Sequence, residues 1–228
     1  MQKYHNTEDK ILESWVVNAQ NWIETIEQGA IASRQLVTNQ AIIDAVKQTN
    51  ITTALDVGCG EGWLTRALNQ AAIRTTGIDA VESLIQSAAQ KGSGEYFVLS
   101  YQDLTAAEVP LKEKYEGAVI NFALIGKEST EELLKALPRF LTARGRVIIQ
   151  TLHPWAVIEH DSYESGWREG SWVGLPAAFV QPYQWYFRTL GDWVGLLHQA
   201  GFRVESVLEP LHPLTAKPAS LILIGEVA

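Results

Sequence analysis

The chain has 228 residues, is 46% hydrophobic and 19% charged, and carries a formal net charge of −8. That length fits one large domain with room for an insertion, and the apolar fraction can fill a substantial core. The acidity and the lack of any Lys/Arg cluster argue against a nucleic-acid or anionic-membrane surface, and the single Cys59 cannot form an internal disulfide.

In chain order, residues 7–28 place Ile11, Trp15, Val16, Trp22, Ile23 and Ile26 near the helical period, with Thr7 as N-cap and Gly29 as the break. A second helix is predicted over 34–48. Strand 51–57, helix 62–72, strand 73–79, helix 81–91 and strand 95–99 follow, with Gly92-Ser93-Gly94 as a turn. A short helix near 103–109, a strand at 116–122, a helix at 128–141 and a strand at 146–151 continue the alternation. After residue 188, Leu190, Trp193, Val194, Leu197 and His198 predict another helix, and strands near 202–208 and 220–227 close the chain. Such alternation predicts an α/β fold, an open and mostly parallel sheet with right-handed crossovers. The short link between the last two strands, broken by Pro213 and Pro218, is hairpin-like and makes the last strand antiparallel.

The run Asp56-Val57-Gly58-Cys59-Gly60-Glu61-Gly62-Trp63 joins the first of these strands to a helix. Glycines in a strand-to-helix turn let a ligand lie directly on the backbone. The spacing is not that of a dinucleotide fingerprint, whose third glycine falls on Trp63, nor of a phosphate loop, which needs a Lys-Ser/Thr pair. Asp56 just before the turn suits a cationic ligand better than a pyrophosphate.

This run resembles motif I of the class I S-adenosylmethionine-dependent methyltransferases. Arg74-Thr-Thr-Gly77-Ile-Asp79-Ala80 is similar to that family's second strand, Tyr115 to Leu124 to its fourth strand and following loop, and Gly145 to Gln150 to its fifth. The resemblance covers roughly 40–152 and its element order resumes over 189–228. It implies a Rossmann-like sheet of seven strands with S-adenosyl-L-methionine as cofactor. It also implies roles. Gly58 and Gly60 present backbone to the methionine part, Asp56 orients the amino-acid end, and Asp79 with Ala80 beside it takes the ribose hydroxyls. Ser100, Tyr101 and Gln102 neighbour the adenine, although the family's usual acid is missing there and Asp103 is out of register. Asn121 and Phe122 border the cofactor from the fourth strand. Arg34, in an N-terminal cap of residues 1–48, is a candidate fork for the methionine carboxylate.

Residues 153–188 interrupt the alternation after the fifth strand, on the side where open α/β sheets bind ligands. The segment holds Trp155, Tyr163, Trp167, Trp172, Phe179, Tyr183, Trp185, Tyr186 and Phe187, with Pro154, Pro176 and Pro182, and no clear helical period. It reads as a lid over the transfer site within a single domain of 1–228, or as a satellite core. His5, His153, His160, His198 and His212 have no metal-ligand spacing. His153 directly follows the fifth strand and is the candidate for orienting an acceptor, with Tyr183 and Tyr186 as further candidates and Arg188 close by.

The expectation is thus a methyltransferase acting on a small-molecule acceptor, with no nucleic-acid or membrane partner. The lone cysteine, the lack of a signal-like N-terminus and of an apolar run near about 18 residues make it cytoplasmic. A cofactor-binding protein without transfer activity, an RNA or protein methyltransferase and a dinucleotide oxidoreductase are the alternatives, the last disfavoured by Trp63 and Asp56.

Overall fold

The structure, a computed structural model, describes residues 2–92, 94–106, 109–158, 162–175 and 178–228. Ser93 of the predicted turn, the far end of the predicted 103–109 helix, His160 and Pro176 therefore lie outside the described residues. Seven strands form one sheet: β1 (Thr53–Val57), β2 (Arg74–Asp79), β3 (Glu95–Val98), β4 (Tyr115–Asn121), β5 (Leu141–Thr151), β8 (Phe202–Leu208) and β9 (Leu221–Val227), in the order β3-β2-β1-β4-β5-β9-β8. β1 to β5 pair in parallel, and β9 pairs antiparallel with both β5 and β8. The return at 209–220 contains no helix to carry a parallel crossover, and the two strands it joins pair as neighbours in antiparallel register.

Alternation along the strands feeds two cores. On one face, Leu55, Val57, Ile120, Val147 and Ile149 pack with Leu133 and Leu134 of α6 (Glu128–Ala136) and with Trp193 and Leu197 of α8 (Leu190–Gln199). On the other, Ala54, Val119, Ile148 and Ile222 meet Ile42 and Val46 of α2 (Asn39–Gln48) and Leu64 and Leu68 of α3 (Trp63–Gln70). The long first helix α1 (Gln2–Glu27) lays Ala19 and Ile23 on Val81 and on Leu84 of α4 (Glu82–Gln90).

Local chemistry moves several boundaries from the sequence expectation. The 34–48 helix opens with a π-helical turn, Arg34–Thr38, in which Asn39 N–H donates to Arg34 O five residues back. The 128–141 helix is α-helical only to Ala136 and tightens into a 3-10 turn at Leu137–Phe140, because Pro138 supplies no N–H and clashes with the preceding turn. β5 consequently begins at Leu141 rather than 146. The helix predicted near 103 is α5 (Tyr101–Thr105), started two residues earlier by a capping box between Ser100 and Asp103.

The 153–188 segment is more regular than its sequence suggests. It contains a short helix α7 (Trp155–Ile158) and a hairpin of β6 (Gly166–Glu169) and β7 (Gln184–Phe187), with Trp167 opposite Tyr186 and Arg168 opposite Trp185. Aromatic residues on both strands stabilise such pairs from across the ladder, which strand propensity captures and helical periodicity does not.

Candidate functional site

The site forms where β1, β2 and β4 end. Gly58 has φ +73°, and a Cβ there would come within 2.5 Å of Ala123 Cβ. Gly60 has φ +57°, and its Cβ position faces Trp22 Nε1 at 3.6 Å. Both backbones lie in the left-handed region that favours glycine; Ala123 and the Tyr101 hydroxyl fill the space over Gly58, whereas over Gly60 only Trp22 Nε1 comes near. The neighbouring acid is fixed by the same turn: Gly60 N–H donates to Asp79 Oδ2 and Val81 N–H to Asp79 Oδ1, both at 2.9 Å. A carboxylate oxygen accepts two hydrogen bonds, so each retains a lone pair for a ligand hydroxyl. Burial raises the Asp79 carboxyl above the usual range, and the Val81 and Gly60 amides oppose that shift. Ala80 beside it is half-buried.

Asp56 is placed differently from the glycines. It is buried, and Thr65 Oγ1 of α3 donates to its Oδ2 at 2.7 Å. Burial pushes its carboxyl up to about 7, against the Thr65 hydrogen bond. Cys59 is buried in the turn, and burial pushes its thiol up, as an inert structural cysteine requires.

The three adenine candidates do not act alike. The Ser100 hydroxyl is committed to the cap: Asp103 N–H donates to Ser100 Oγ, and Ser100 N–H and Oγ–H both donate to Asp103 Oδ2. Tyr101 O–H reaches across to Ala123 O at 3.0 Å, and burial pushes that phenol up. The Gln102 side chain is exposed.

On the β4 side, Phe122 has φ +54°, a conformation that costs a non-glycine residue about 1 kcal/mol or more and collects at functional sites. Its N–H donates to Gln150 O at 2.8 Å. Gln150 is a hub that the sequence reading missed. Its Nε2 donates to Asn121 Oδ1 at 2.7 Å and to Thr38 O at 3.0 Å, and Ser220 Oγ donates to its Oε1 at 3.0 Å. The hub ties the π-helical turn to β4, β5 and the segment before β9. A glutamine ending the otherwise apolar run Val147-Ile148-Ile149 was the available signal.

Arg34 leaves that turn as a buried guanidinium, 4.8 Å over the Trp63 ring and 5.7 Å from the Trp22 ring. Its Nη2 is buried with no hydrogen-bond partner. Burial, partly offset by Glu61, lowers it to about 10, so it remains a cation at neutral pH. A buried, unpaired N–H of a cation is costly unless an anion completes it.

A cleft of about 340 Å³ opens beside this cradle. Phe122 and Thr151 form its floor at the ends of β4 and β5, Trp15 and Trp22 of α1 form one wall, and Trp172, Tyr183, Trp185, Tyr186 and Arg188 form the other. Arg34 lies at the boundary. Of the predicted residues, the structure therefore brings Arg34, Phe122, Tyr183 and Tyr186 to the cleft and sets the glycine turn and Asp79 beside it. Burial pushes the Tyr183 phenol up. His153 is not among the residues that line it. Its Nδ1 accepts Trp155 N–H at 3.0 Å, and its Nε2 meets Glu209 Oε1 at 2.8 Å. The two tryptophans of α1 were legible only as a helix stripe.

Two segments distant in sequence hold this cleft closed on one side. Asn18 pairs with both backbone polar groups of Val180, Asn21 Nδ2 donates to Ala178 O at 3.0 Å, and Ser14 Oγ donates to Gln181 O. Trp15 meets Trp172 edge-on at 5.6 Å. Among the described residues no group of His, Cys, Asp and Glu could hold a metal, and no helix is long and apolar enough to cross a membrane.

Comparison with known proteins adds to this geometry. A family model described as a methyltransferase domain matches residues 55–149. An uncharacterized methyltransferase of Schizosaccharomyces pombe is 28% identical over 173 residues, 72% of this chain and 65% of that protein. Among solved structures, the Burkholderia thailandensis 1,6-didemethyltoxoflavin-N1-methyltransferase, with bound 1,6-didemethyltoxoflavin and S-adenosylhomocysteine, superposes with TM-score 0.68 at 16% identity, over 99% of this chain and 90% of that one. The magnesium protoporphyrin IX methyltransferase of Synechocystis PCC 6803, with bound SAM, does so with TM-score 0.55 at 19% identity, over 86% and 79%.

Proposed function

We propose that the chain, which belongs to the class I S-adenosylmethionine-dependent methyltransferase family, transfers a methyl group from that cofactor to a small organic acceptor seated in the aromatic cleft. The observation that carries this reading is the adjacency of two spaces across Phe122 and Arg34: a glycine-lined cradle with an acid at its rim, and a cleft walled by aromatic rings. The residues present fit the cofactor. Gly60 leaves its backbone free of a side chain, Asp79 keeps lone pairs for vicinal hydroxyls, and Arg34 Nη2 lacks the anion that a methionine carboxylate provides.

When bound, the cofactor supplies an electrophilic methyl carbon on a sulfonium sulfur. The protein's part is to bind, align and keep water out. Alignment within about 3 Å converts an encounter into a unimolecular event. Phe122, held in its left-handed conformation by the Gln150 carbonyl, forms the partition through which acceptor and methyl meet. Trp15, Trp22 and Trp172 exclude water from above, with the 153–188 segment acting as a lid latched to α1. The S-adenosylhomocysteine and small acceptor bound to the Burkholderia thailandensis neighbour support this division of space. A saturable titration of the protein with S-adenosylhomocysteine, and none with NAD, is expected in a calorimeter. Binding of NAD instead would overturn the reading. Methyl transfer is then read by product formation from labelled cofactor.

A further inference from the structure

We infer that the acceptor is a planar aromatic anion, an aromatic carboxylate or ionised phenol, whose charge is held by Arg188 and whose reacting atom arrives with its lone pair already free. The inference rests on the methyl-transfer reading above and specifies its substrate. Three features of the cleft lead to it.

The first is what the cleft lacks. Among the described residues that line it there is no aspartate, glutamate, histidine, lysine or cysteine. Its only titratable side chains besides the two arginines are tyrosines, and burial drives the Tyr183 phenol further from neutrality. A general base must lie within hydrogen-bond reach of the proton it takes and must titrate near the working pH. None does, and His153 is held elsewhere by Trp155 N–H and Glu209. An acceptor that needs the protein to remove a proton before attack is not served here.

The second is the sign of the charge. Among the described residues, Arg34 and Arg188 are the only ionic groups lining the cleft, in a chain whose net charge is −8. Arg34 is committed to the cofactor's carboxylate in the reading above, which leaves Arg188. Its guanidinium is fixed: Nη1 donates to Gly126 O at 3.1 Å, Nη2 to Lys127 O at 2.9 Å, and the group lies between the rings of Tyr186 at 4.8 Å and Trp193 at 5.0 Å. Glu131, 4.0 Å from Nη2, and Glu8 and Glu128 also act on it, but none of the three lines the cleft. These carboxylates offset part of its charge from behind the wall, but within the described lining the guanidinium is the charge an acceptor meets, which favours an anion over a cation.

The third is shape. Trp15 meets Trp172 edge-on at 5.6 Å and lies 6.1 Å from the Tyr183 ring, so these rings close one end of a cleft whose lining from α1 and from the 153–188 segment is largely aromatic. Flat π-systems fill such a space with stacked and edge-on contacts at small entropic cost. The transfer balances without a catalytic proton. The anionic oxygen's lone pair forms the new O–C bond, the S–C bond breaks, and its pair stays on sulfur. Sulfonium and anion thus give a neutral thioether and a neutral methyl ester or ether.

Three probes of one shape and different charge test this: 2-naphthoate, 2-naphthamide and 2-naphthylmethylammonium, titrated against the full chain saturated with S-adenosylhomocysteine and followed by tryptophan fluorescence. We expect naphthoate to bind at least about tenfold more tightly than the amide, and the ammonium not to bind measurably. Arg188→Met should flatten the acid-to-amide preference to within about threefold, and Arg188→Lys should retain most of it. If Arg188→Met does not fold, the charge series on the unsubstituted protein and on Arg188→Lys still decides. Equal affinity for acid and amide, or tightest binding of the ammonium, overturns the inference while S-adenosylhomocysteine binding leaves the methyl-transfer reading standing. Failure to bind S-adenosylhomocysteine removes that reading and this one with it.

Discussion

Asn18 on α1 pairs with both backbone polar groups of Val180 in the 153–188 segment: its Nδ2 donates to Val180 O at 2.7 Å, and Val180 N–H donates to its Oδ1 at 2.8 Å. Asn18 is buried, so neither bond is replaced by water at no cost when the side chain is lost. Asn18→Ala removes two part-buried bonds and leaves Val180 N–H without its partner, while Val180 O keeps the Trp172 indole N–H, about 1–2 kcal/mol in all. If the segment is a lid, that loss falls on acceptor binding. The acceptor KM should rise by about ten- to thirtyfold, while S-adenosylhomocysteine affinity stays within about threefold. A loss confined to cofactor affinity would show that the latch serves the cradle and not the cleft.

The cradle is tested at Asp79 and Gly60. Asp79→Ala frees the N–H groups of Gly60 and Val81 and deletes the proposed ribose acceptor. S-adenosylhomocysteine affinity should fall by about 1–3 kcal/mol in titration calorimetry. Gly60→Val places a branched side chain at φ +57°, toward Trp22 Nε1. The core is elsewhere, so the far-ultraviolet spectrum should persist while binding disappears. Unchanged binding by a folded Gly60→Val protein would contradict the close backbone approach.

The sheet and the glycine turn at its edge were legible because local signals there agree. Alternating apolar runs, the glycine turn after β1 and Asp79 at the end of β2 all follow from strand and turn chemistry. The antiparallel β9 was legible from a short link broken by Pro213 and Pro218, with no helical pattern to carry a crossover. The acceptor side was not, for a different reason. Trp15 and Trp22 satisfy a helix stripe whether they face a core or a ligand, and Asn18 reads as an ordinary helix residue. Their role exists only because 178–181 folds back onto α1, a contact across some 160 positions for which sequence spacing carries no signal. His153 is the converse case. Its position after β5 is favourable, but its ring turns to Glu209 and the Trp155 amide.

Asp56 gives the fold a pH dependence with a definite sign. In the unfolded chain its carboxyl titrates near about 4, whereas burial lifts it to about 7 in the folded protein. Between those values the folded state binds the extra proton, so stability falls as pH rises from about 4 to about 7 and is level above. Asp79, raised by burial, acts in the same direction. Asp56→Asn keeps an acceptor for Thr65 Oγ1 and removes the ionisation. Its melting temperature should match the parent's near pH 4.5 and exceed it at pH 8. An equal difference at both pH values would mean that Asp56 ionises as readily folded as unfolded.

The loop before α6 is held from two sides, and this links stability to the cleft. Glu8 of α1 takes its N–H groups: Lys127 N–H at 2.7 Å and Glu128 N–H at 2.9 Å on Oε1, and Ser129 N–H at 3.1 Å on Oε2. Arg188 takes its carbonyls, at Gly126 and Lys127. Gly126 permits the approach, since a Cβ there would lie 2.7 Å from Glu8 Oε1. A carboxylate on a helix N-terminus satisfies open amides and opposes the helix dipole. Glu8→Ala should lower unfolding stability by about 1–2 kcal/mol in urea titration, with Glu8→Gln losing less. Because the same loop positions the Arg188 guanidinium, Glu8→Ala should also reduce the preference for 2-naphthoate over 2-naphthamide, though Glu8 does not line the cleft. Loss of stability with the charge preference intact would show that Arg188 is positioned by Tyr186 and Trp193 alone.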